Sequence, residues 1–337
     1  MSETLVLGAN GYLGLHIVDA LRAEGVEPRC GRRARANVLG LLSRKARMVV
    51  ADLERPETLA DAMRDVKTVV HVAGHYPRHS LDRVATIALG ERQARAVVDA
   101  AKASGVERIV YVSSTATVAP RMGAPSNEDD VYGAPPGLGI YHDLKWTMEQ
   151  VFLASGLDVR IALPSGCVGP GDLRMGTSAL LVALARGLDP VHADGWVPQV
   201  DPRDAAIGVA RMAVRDGAPD RVILSATSER LQPMLEALAR HYRVAPPSPA
   251  VPAAEALRLA EEAEREAEAT RTRARMSREI VELTVYGTPL DNLLSRAALG
   301  LEYRPFSETV ADFDRWATRL GFLPTPHAEV HPHGHAS

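Results

Sequence analysis

Short runs of β-branched and apolar residues alternate with helix-length segments through the first 165 positions of the chain. Runs at Thr4–Leu7, Val26–Cys30, Arg47–Ala51, Thr68–Val72, Arg108–Val112 and Asp158–Leu163 predict strands. The stretches near Leu13–Ala23, Glu57–Met63, Ala85–Ala103 and Tyr141–Ala154 predict helices between them. Strands separated by helices of this length imply a parallel sheet covered on both faces, a Rossmann-type doubly wound α/β fold. After Pro164 the rhythm breaks into Gly-, Pro- and Asp-rich loops, 164–175 and 189–204, mixed with short helices. Residues 1–165 are therefore expected to form one domain, and residues 166–325 a smaller region with some segments returning to the sheet.

Further along, a joint rich in proline, Pro246-Pro247-Ser248-Pro249-Ala250-Val251-Pro252, precedes a charged helix expected from Ala253 to Glu279. Its first half is acidic and its second half basic, an order that complements the helix dipole. Alanines at 253, 256, 260, 263, 267 and 274 keep a three–four spacing, so one narrow face can lie close to another helix. The segment reads as a solvated covering helix or as a lid over a cleft. The tail at 326–337, with His327, His331, His333 and His335 among prolines, reads as disordered rather than as a metal site.

Composition narrows the class. Of 337 residues, 46% are hydrophobic and 24% charged, enough apolar side chain for a sizeable core. A net charge of −3 gives no footprint for nucleic acid. The start Met1-Ser2-Glu3-Thr4 has neither the basic residues nor the cleavage site of a secretory signal. No apolar stretch approaches the roughly 20 residues of a membrane span. Two distant cysteines, Cys30 and Cys167, make no ligand cluster and suit a reducing compartment. The expectation is a cytoplasmic protein without membrane or metal partners.

The candidate chemistry lies where strands end. Gly8-Ala9-Asn10-Gly11-Tyr12-Leu13-Gly14 follows the first strand and opens the first helix. Gly8 allows a tight turn, Gly11 lets backbone approach a pyrophosphate, and Gly14 lets helix and strand meet closely. The helix start then offers N–H groups and a positive dipole end to phosphate. With Asn10, Tyr12 and Leu13, this loop is the predicted dinucleotide cradle. At the end of the second strand stand Arg32 and Arg33 instead of the carboxylate that would hold a ribose diol. Guanidinium groups bind phosphate bidentately, so these two predict NADP rather than NAD. Asp52-Leu53 follows the third strand; Asp52 could accept from the adenine amino group or cap the helix near Pro56. Val72-Ala73-Gly74 ends the fourth with small residues, where backbone must pass close to the cofactor.

Tyr141 and Lys145 stand four residues apart and so share a helix face. An ammonium nearby would favour phenolate and bring the phenol, ordinarily near 10, into a useful range for proton transfer. Ser113-Ser114-Thr115 ends the fifth strand at the carboxyl edge of the sheet, where a hydroxyl could hold a substrate carbonyl.

Taken with His71-Val72-Ala73-Gly74, Leu163-Pro164…Gly169-Pro170-Gly171 and Val200-Asp201…Asp204, these motifs resemble the extended short-chain dehydrogenases/reductases over nearly the whole chain. The resemblance implies that Tyr141 is the acid/base and that Lys145 holds the nicotinamide ribose and tunes Tyr141. It also implies that a hydroxyl orients the substrate; Thr115 matches its commonest position and Ser114 stays open. Ser113 and Ser114 would also meet the cofactor, and Pro164, Cys167 and Val168 would line the nicotinamide. Sugar-nucleotide epimerases carry an acid after the second strand and Tyr-Gly beyond the Ser/Thr run, where this chain has Arg32/Arg33 and Ala119-Pro120. The pattern is closer to the dihydroflavonol-reductase and 3β-hydroxysteroid-dehydrogenase branches. The expected activity is NADP-dependent ketoreduction, or the reverse oxidation of a secondary alcohol, on a non-sugar small molecule. The alternatives are an NAD(P)-dependent epimerase or isomerase of a sugar or related metabolite, and a non-catalytic NADP-binding regulator. Trp196, between Gly195 and Pro198, is the expected substrate wall from the second half. The helix at Ala85–Ala103 and the one bearing Tyr141 match the pair that forms a homodimer interface in the family.

Overall fold

The computed structural model describes residues 3–74, 82–272, 274 and 276–324. In chain order the first half runs β1 (Glu3–Leu7), α1 (Tyr12–Ala23), β2 (Arg29–Arg32), α2 (Leu39–Ser43), β3 (Arg47–Val50), α3 (Pro56–Ala62), β4 (Val66–His71), α4 (Arg83–Ala103), β5 (Arg108–Val112), α5 (Ile140–Leu153) and β6 (Asp158–Pro164). The second half adds β7 (Gly166–Cys167), α6 (Ala179–Ala185), β8 (Trp196–Val200), α7 (Pro202–Val214), β9 (Arg221–Leu224), β10 (Thr227–Arg230) and α8 (Leu231–Tyr242). It closes with α9 (Ala253–Thr270), α10 (Arg278–Val285), α11 (Leu293–Leu299) and α12 (Phe306–Arg319).

Seven strands form one sheet in the order β3-β2-β1-β4-β5-β6-β9, every neighbouring pair parallel. Alternation along each strand feeds two cores. Leu5 and Leu7 point to a layer with α3, α4 and α5 that includes Leu59, Val97 and Phe152. Val6 points to the opposite layer with α1 and α7, among Ile17, Leu21 and Val209. This is the doubly wound fold that the strand–helix rhythm predicts.

Differences from the sequence reading have local causes. The second strand begins at Arg29 rather than Val26, because Val26 N–H closes the turn after α1 on the Leu21 carbonyl (2.9 Å), and Pro28 has no N–H to pair. The segment 189–204, expected as loop, contains β8, which pairs with β10 and β7 in a second sheet of three strands. Trp196 is thus a strand residue, not a loop residue. The second half also returns β9 and α7 to the main layers. The charged helix expected to run from Ala253 to Glu279 is two helices: Arg271 turns left-handed (φ 53°) and ends α9. The Glu264 carboxylate of α9 then accepts from the Arg278 N–H at the start of α10 (2.9 Å). An acidic side chain therefore meets a helix N-terminus across a turn, not along one helix. The alanine face does pack closely, with Ala256 and Ala260 buried beside Val281 of α10. The histidine-bearing tail lies outside the described residues.

Candidate active site

The carboxyl ends of β1, β4, β5 and β6 bring the predicted cofactor residues to one edge. Gly8 has φ +86°, and a Cβ there would lie 2.8 Å from the Ala73 nitrogen. A Cβ on Gly14 would overlap the Gly8 carbonyl oxygen. Gly11 stands as the N-cap of α1 with no side-chain cap, which leaves the first N–H groups of the helix available to an anion. A pyrophosphate fits this arrangement, since only glycines allow the backbone so near. Asn10 donates to the Asn37 carbonyl (3.4 Å), and Leu13 packs into the α1/α7 core. The Tyr12 hydroxyl donates to the Gly169 carbonyl (3.0 Å), tying the loop to the second half of the chain.

Arg32 ends β2 with Nη1 donating to the carbonyls of Arg33 and Ala34 (3.2 and 2.9 Å). Its Nε is buried with no hydrogen-bond partner among the described residues. Arg33 is exposed beside it. Asp52 does not cap α3, whose N-cap is Arg55; instead Asp52 accepts from the Glu54 N–H (3.2 Å) in a local turn. Leu53 and Ala73 pack against the first core, Val72 packs against the second, and Gly74 is exposed. Pro164 and Val168 are buried, and burial pushes the Cys167 thiol up to about 12.

Tyr141 and Lys145 occupy successive turns of α5 against the end of β5. A side-chain hydrogen bond joins Tyr141 to Ser114. Lys145 Nζ lies 5.9 Å from the Tyr141 ring centroid, 5.2 Å from that of Tyr111, and donates to the Val112 carbonyl (3.2 Å). Burial holds the ammonium down to about 8, opposed by the Glu149 and Glu279 carboxylates. The expectation that Lys145 lowers the phenol is corrected by the balance of forces. Burial dominates and raises Tyr141 above its ordinary value, Glu279 and Cys167 adding to it and the Ser114 hydrogen bond opposing. Tyr141 accordingly keeps its proton at neutral pH.

The Ser/Thr run divides its labour. Ser113 turns its hydroxyl to the buried Glu149, Ser114 meets Tyr141, and Thr115 faces a cavity of about 40 Å³ shared with His142, Pro198 and Tyr286. Trp196 is not brought to this cavity: the Arg230 guanidinium sits 5.7 Å from its ring centroid, and the wall comes from Pro198 on β8 and from residues 283–290.

Several residues beyond the predicted set take part. Glu149, one turn past Lys145, accepts from Thr117 Oγ1 (2.5 Å) and from Arg221 Nη1 of β9 (2.6 Å). Its four-residue step from Lys145 was readable; its partner Arg221 was not. His142, next to Tyr141 in sequence, and Glu279 of α10 carried no periodic signal.

A family model described as NAD(P)H-binding matches residues 8–170. A Synechocystis sp. protein named for dihydroflavonol 4-reductase is 29% identical over 209 residues, 60% of each chain. The match therefore spans about three fifths of that relative. A Streptomyces 3-diazoavenalumate denitrifying reductase is 28% identical over 273 residues, 76% of this chain and 86% of the relative. The crystal structure of gox2253 superposes with a TM-score of 0.81 at 26% identity, over 96% of this chain and 100% of that one. A nucleoside-diphosphate-sugar epimerase from Pseudomonas aeruginosa, 22% identical over 95% of this chain and 99% of its own, shares the fold with a TM-score of 0.77. Residues 8–170 thus match an NAD(P)H-binding family, and the chain as a whole shares its fold with these solved structures.

Proposed function

We propose that the protein reduces a ketone or aldehyde on a non-sugar molecule at the expense of NADPH. The observation that carries this reading is the buried, protonated Tyr141, bonded to Ser114 and flanked by Lys145 at the carboxyl edge of the sheet. When bound, NADPH supplies the hydride to the carbonyl carbon. Tyr141 gives its hydroxyl proton to the carbonyl oxygen, so that an alcohol leaves. Ser114 holds the phenol in place, Thr115 steadies the carbonyl from the cavity side, and the Lys145 ammonium offsets the charge left on the phenolate. We assign the phosphate of NADP to the Arg32 guanidinium at the end of β2 and to the exposed Arg33 beside it. The reductase names among the relatives support the direction.

A titration followed by an absorbance assay tests both parts. NADPH is expected to bind at least about tenfold tighter than NADH, a preference that Arg32→Asp with Arg33→Asp removes; equal affinities in the unmutated protein overturn the NADP assignment. Tyr141→Phe is expected to lower turnover by about 10²-fold or more with NADPH affinity retained. A substrate converted with no net NADPH consumption would favour the epimerase class instead.

A further inference from the structure

We propose that the cavity beside Thr115 is a size filter that seats one alkyl arm of at most two carbons next to the reacting carbonyl. The preferred substrates are then methyl and ethyl ketones, with the longer arm leading away from the cavity. This rests on the reductase reading and names the substrate class for the same site.

The cavity takes its walls from the neighbours of the reacting pair. Thr115 follows Ser114, which is hydrogen-bonded to Tyr141, and His142 follows Tyr141 on α5; both Thr115 and His142 line the cavity. An arm lodged there lies beside the carbonyl that Tyr141 protonates. No Asp, Glu, Lys or Arg lines the space, and Val118, Pro198, Leu283 and Leu290 give it apolar surface. Burial lowers the His142 imidazole to about 4, so it too is neutral. Such a lining favours hydrocarbon. A cavity of about 150 Å³ holds the six carbons of benzene, or roughly 25 Å³ per carbon. The space beside Thr115, about 40 Å³, has room for one or two.

A size limit needs walls that do not yield. The end of α10 and the turn after it lie backbone to backbone on β8: a Cβ on Gly287 would overlap the Trp196 carbonyl oxygen, and one on Gly195 the Thr284 carbonyl oxygen. The Leu290 N–H donates to Ser228 Oγ of β10 (3.0 Å). Its neighbours are tied to Ser126, whose N–H donates to the Pro289 carbonyl and whose carbonyl accepts from the Asp291 N–H (both 2.8 Å). Trp146 Nε1 of α5 donates to the Tyr132 carbonyl (2.9 Å), fastening another part of the wall. The His142 and Tyr286 rings meet edge-on, with centroids 6.2 Å apart and planes at 83°. Walls held in this way meet an extra methylene with strain rather than by retreating. Leu283 is the adjustable part. It is half-buried and stands outside the hydrophobic cores among the described residues, so its size can be changed without emptying a core.

Three isomers of one formula read the limit: 2-octanone, 3-octanone and 4-octanone, whose shorter arms have one, two and three carbons. Their kcat/KM with NADPH is measured by absorbance, and their affinity for the NADP⁺-loaded protein by calorimetry. In both, 4-octanone is expected to fall at least about tenfold below 3-octanone, the order of discrimination that one methylene brings in a closed apolar pocket. Leu283→Ala should raise the ratio of 4-octanone to 2-octanone about tenfold, and Leu283→Phe should lower 3-octanone against 2-octanone. Retained NADPH affinity shows that each variant is folded. Equal values for the three isomers, a preference for 4-octanone, binding of none of them, or ratios that ignore both Leu283 variants overturn the proposal. The expected order of affinities without NADPH consumption overturns the reductase reading and leaves the size filter standing.

Discussion

At the scale of single residues, burial decides the chemistry more than pairing does. Lys145 falls from 10.5 to about 8 because burial outweighs two carboxylates. Its ammonium is present below that value and lost above it. kcat/KM for NADPH reports the cofactor-free protein and is therefore expected to fall about tenfold per pH unit above roughly 8. A profile flat to pH 10 would remove Lys145 from the mechanism. Between about 8 and 10.5 the unfolded chain binds the proton that folded Lys145 has released, so this group's contribution to stability rises with pH there. His71 works at the other end of the scale. It lies fully buried at the end of β4, stacked on Tyr111, with both ring nitrogens lacking a hydrogen-bond partner among the described residues. Burial lowers it from 6.5 to about 3, with Lys145 adding to the effect. The unfolded chain takes up this proton first as pH drops through 6.5, so stability is lost progressively toward pH 3. His71→Phe, which keeps an aromatic ring in the stack, is expected to resist acid unfolding better in a pH titration followed by circular dichroism; an earlier acid transition would contradict this.

At the scale of elements, α5 is the part on which function and fold meet. Tyr141, Lys145 and Glu149 follow one another at four-residue steps, and Glu149 binds Arg221 of β9. The helix that carries Tyr141 and Lys145 is thereby fastened to a strand more than seventy residues away. Glu149→Ala leaves the Arg221 guanidinium without its carboxylate in a half-dry site, at an expected cost of about 3–5 kcal/mol in urea unfolding. The same change removes a carboxylate that raises Lys145, so the alkaline limb of kcat/KM should move to lower pH. A loss below about 1 kcal/mol would place the pair among weakly contributing surface bridges.

At the scale of the whole molecule, the two cores of the main sheet are joined to a third that packs α6, α8 and α12, with Leu235 and Phe313 at its centre. No helix among the described residues is long and apolar enough to cross a membrane. The helices α4 and α5 cover one face of the sheet side by side, and an isologous pairing through them is the proposed quaternary structure. Light scattering at micromolar protein should return twice the chain mass; the mass of one chain refutes the dimer.

What the sequence determined by itself was the local framework of the first half of the chain, because its signals are short in range. The turn Gly8–Gly14 fits within one strand–helix junction, Tyr141 and Lys145 share one helix face, and the alternation of Leu5, Val6 and Leu7 encodes the two faces of β1. What surrounds that framework was decided only by tertiary structure. Trp196 turned out to lie in a strand because its partners come from Thr227–Arg230, and Ser114 rather than Thr115 meets the phenol because of how the turn after β5 faces α5. Leu283, Tyr286 and His142 enclose one cavity from positions about 140 residues apart. No periodicity records such meetings, since they depend on which surfaces pack after the sheet has formed.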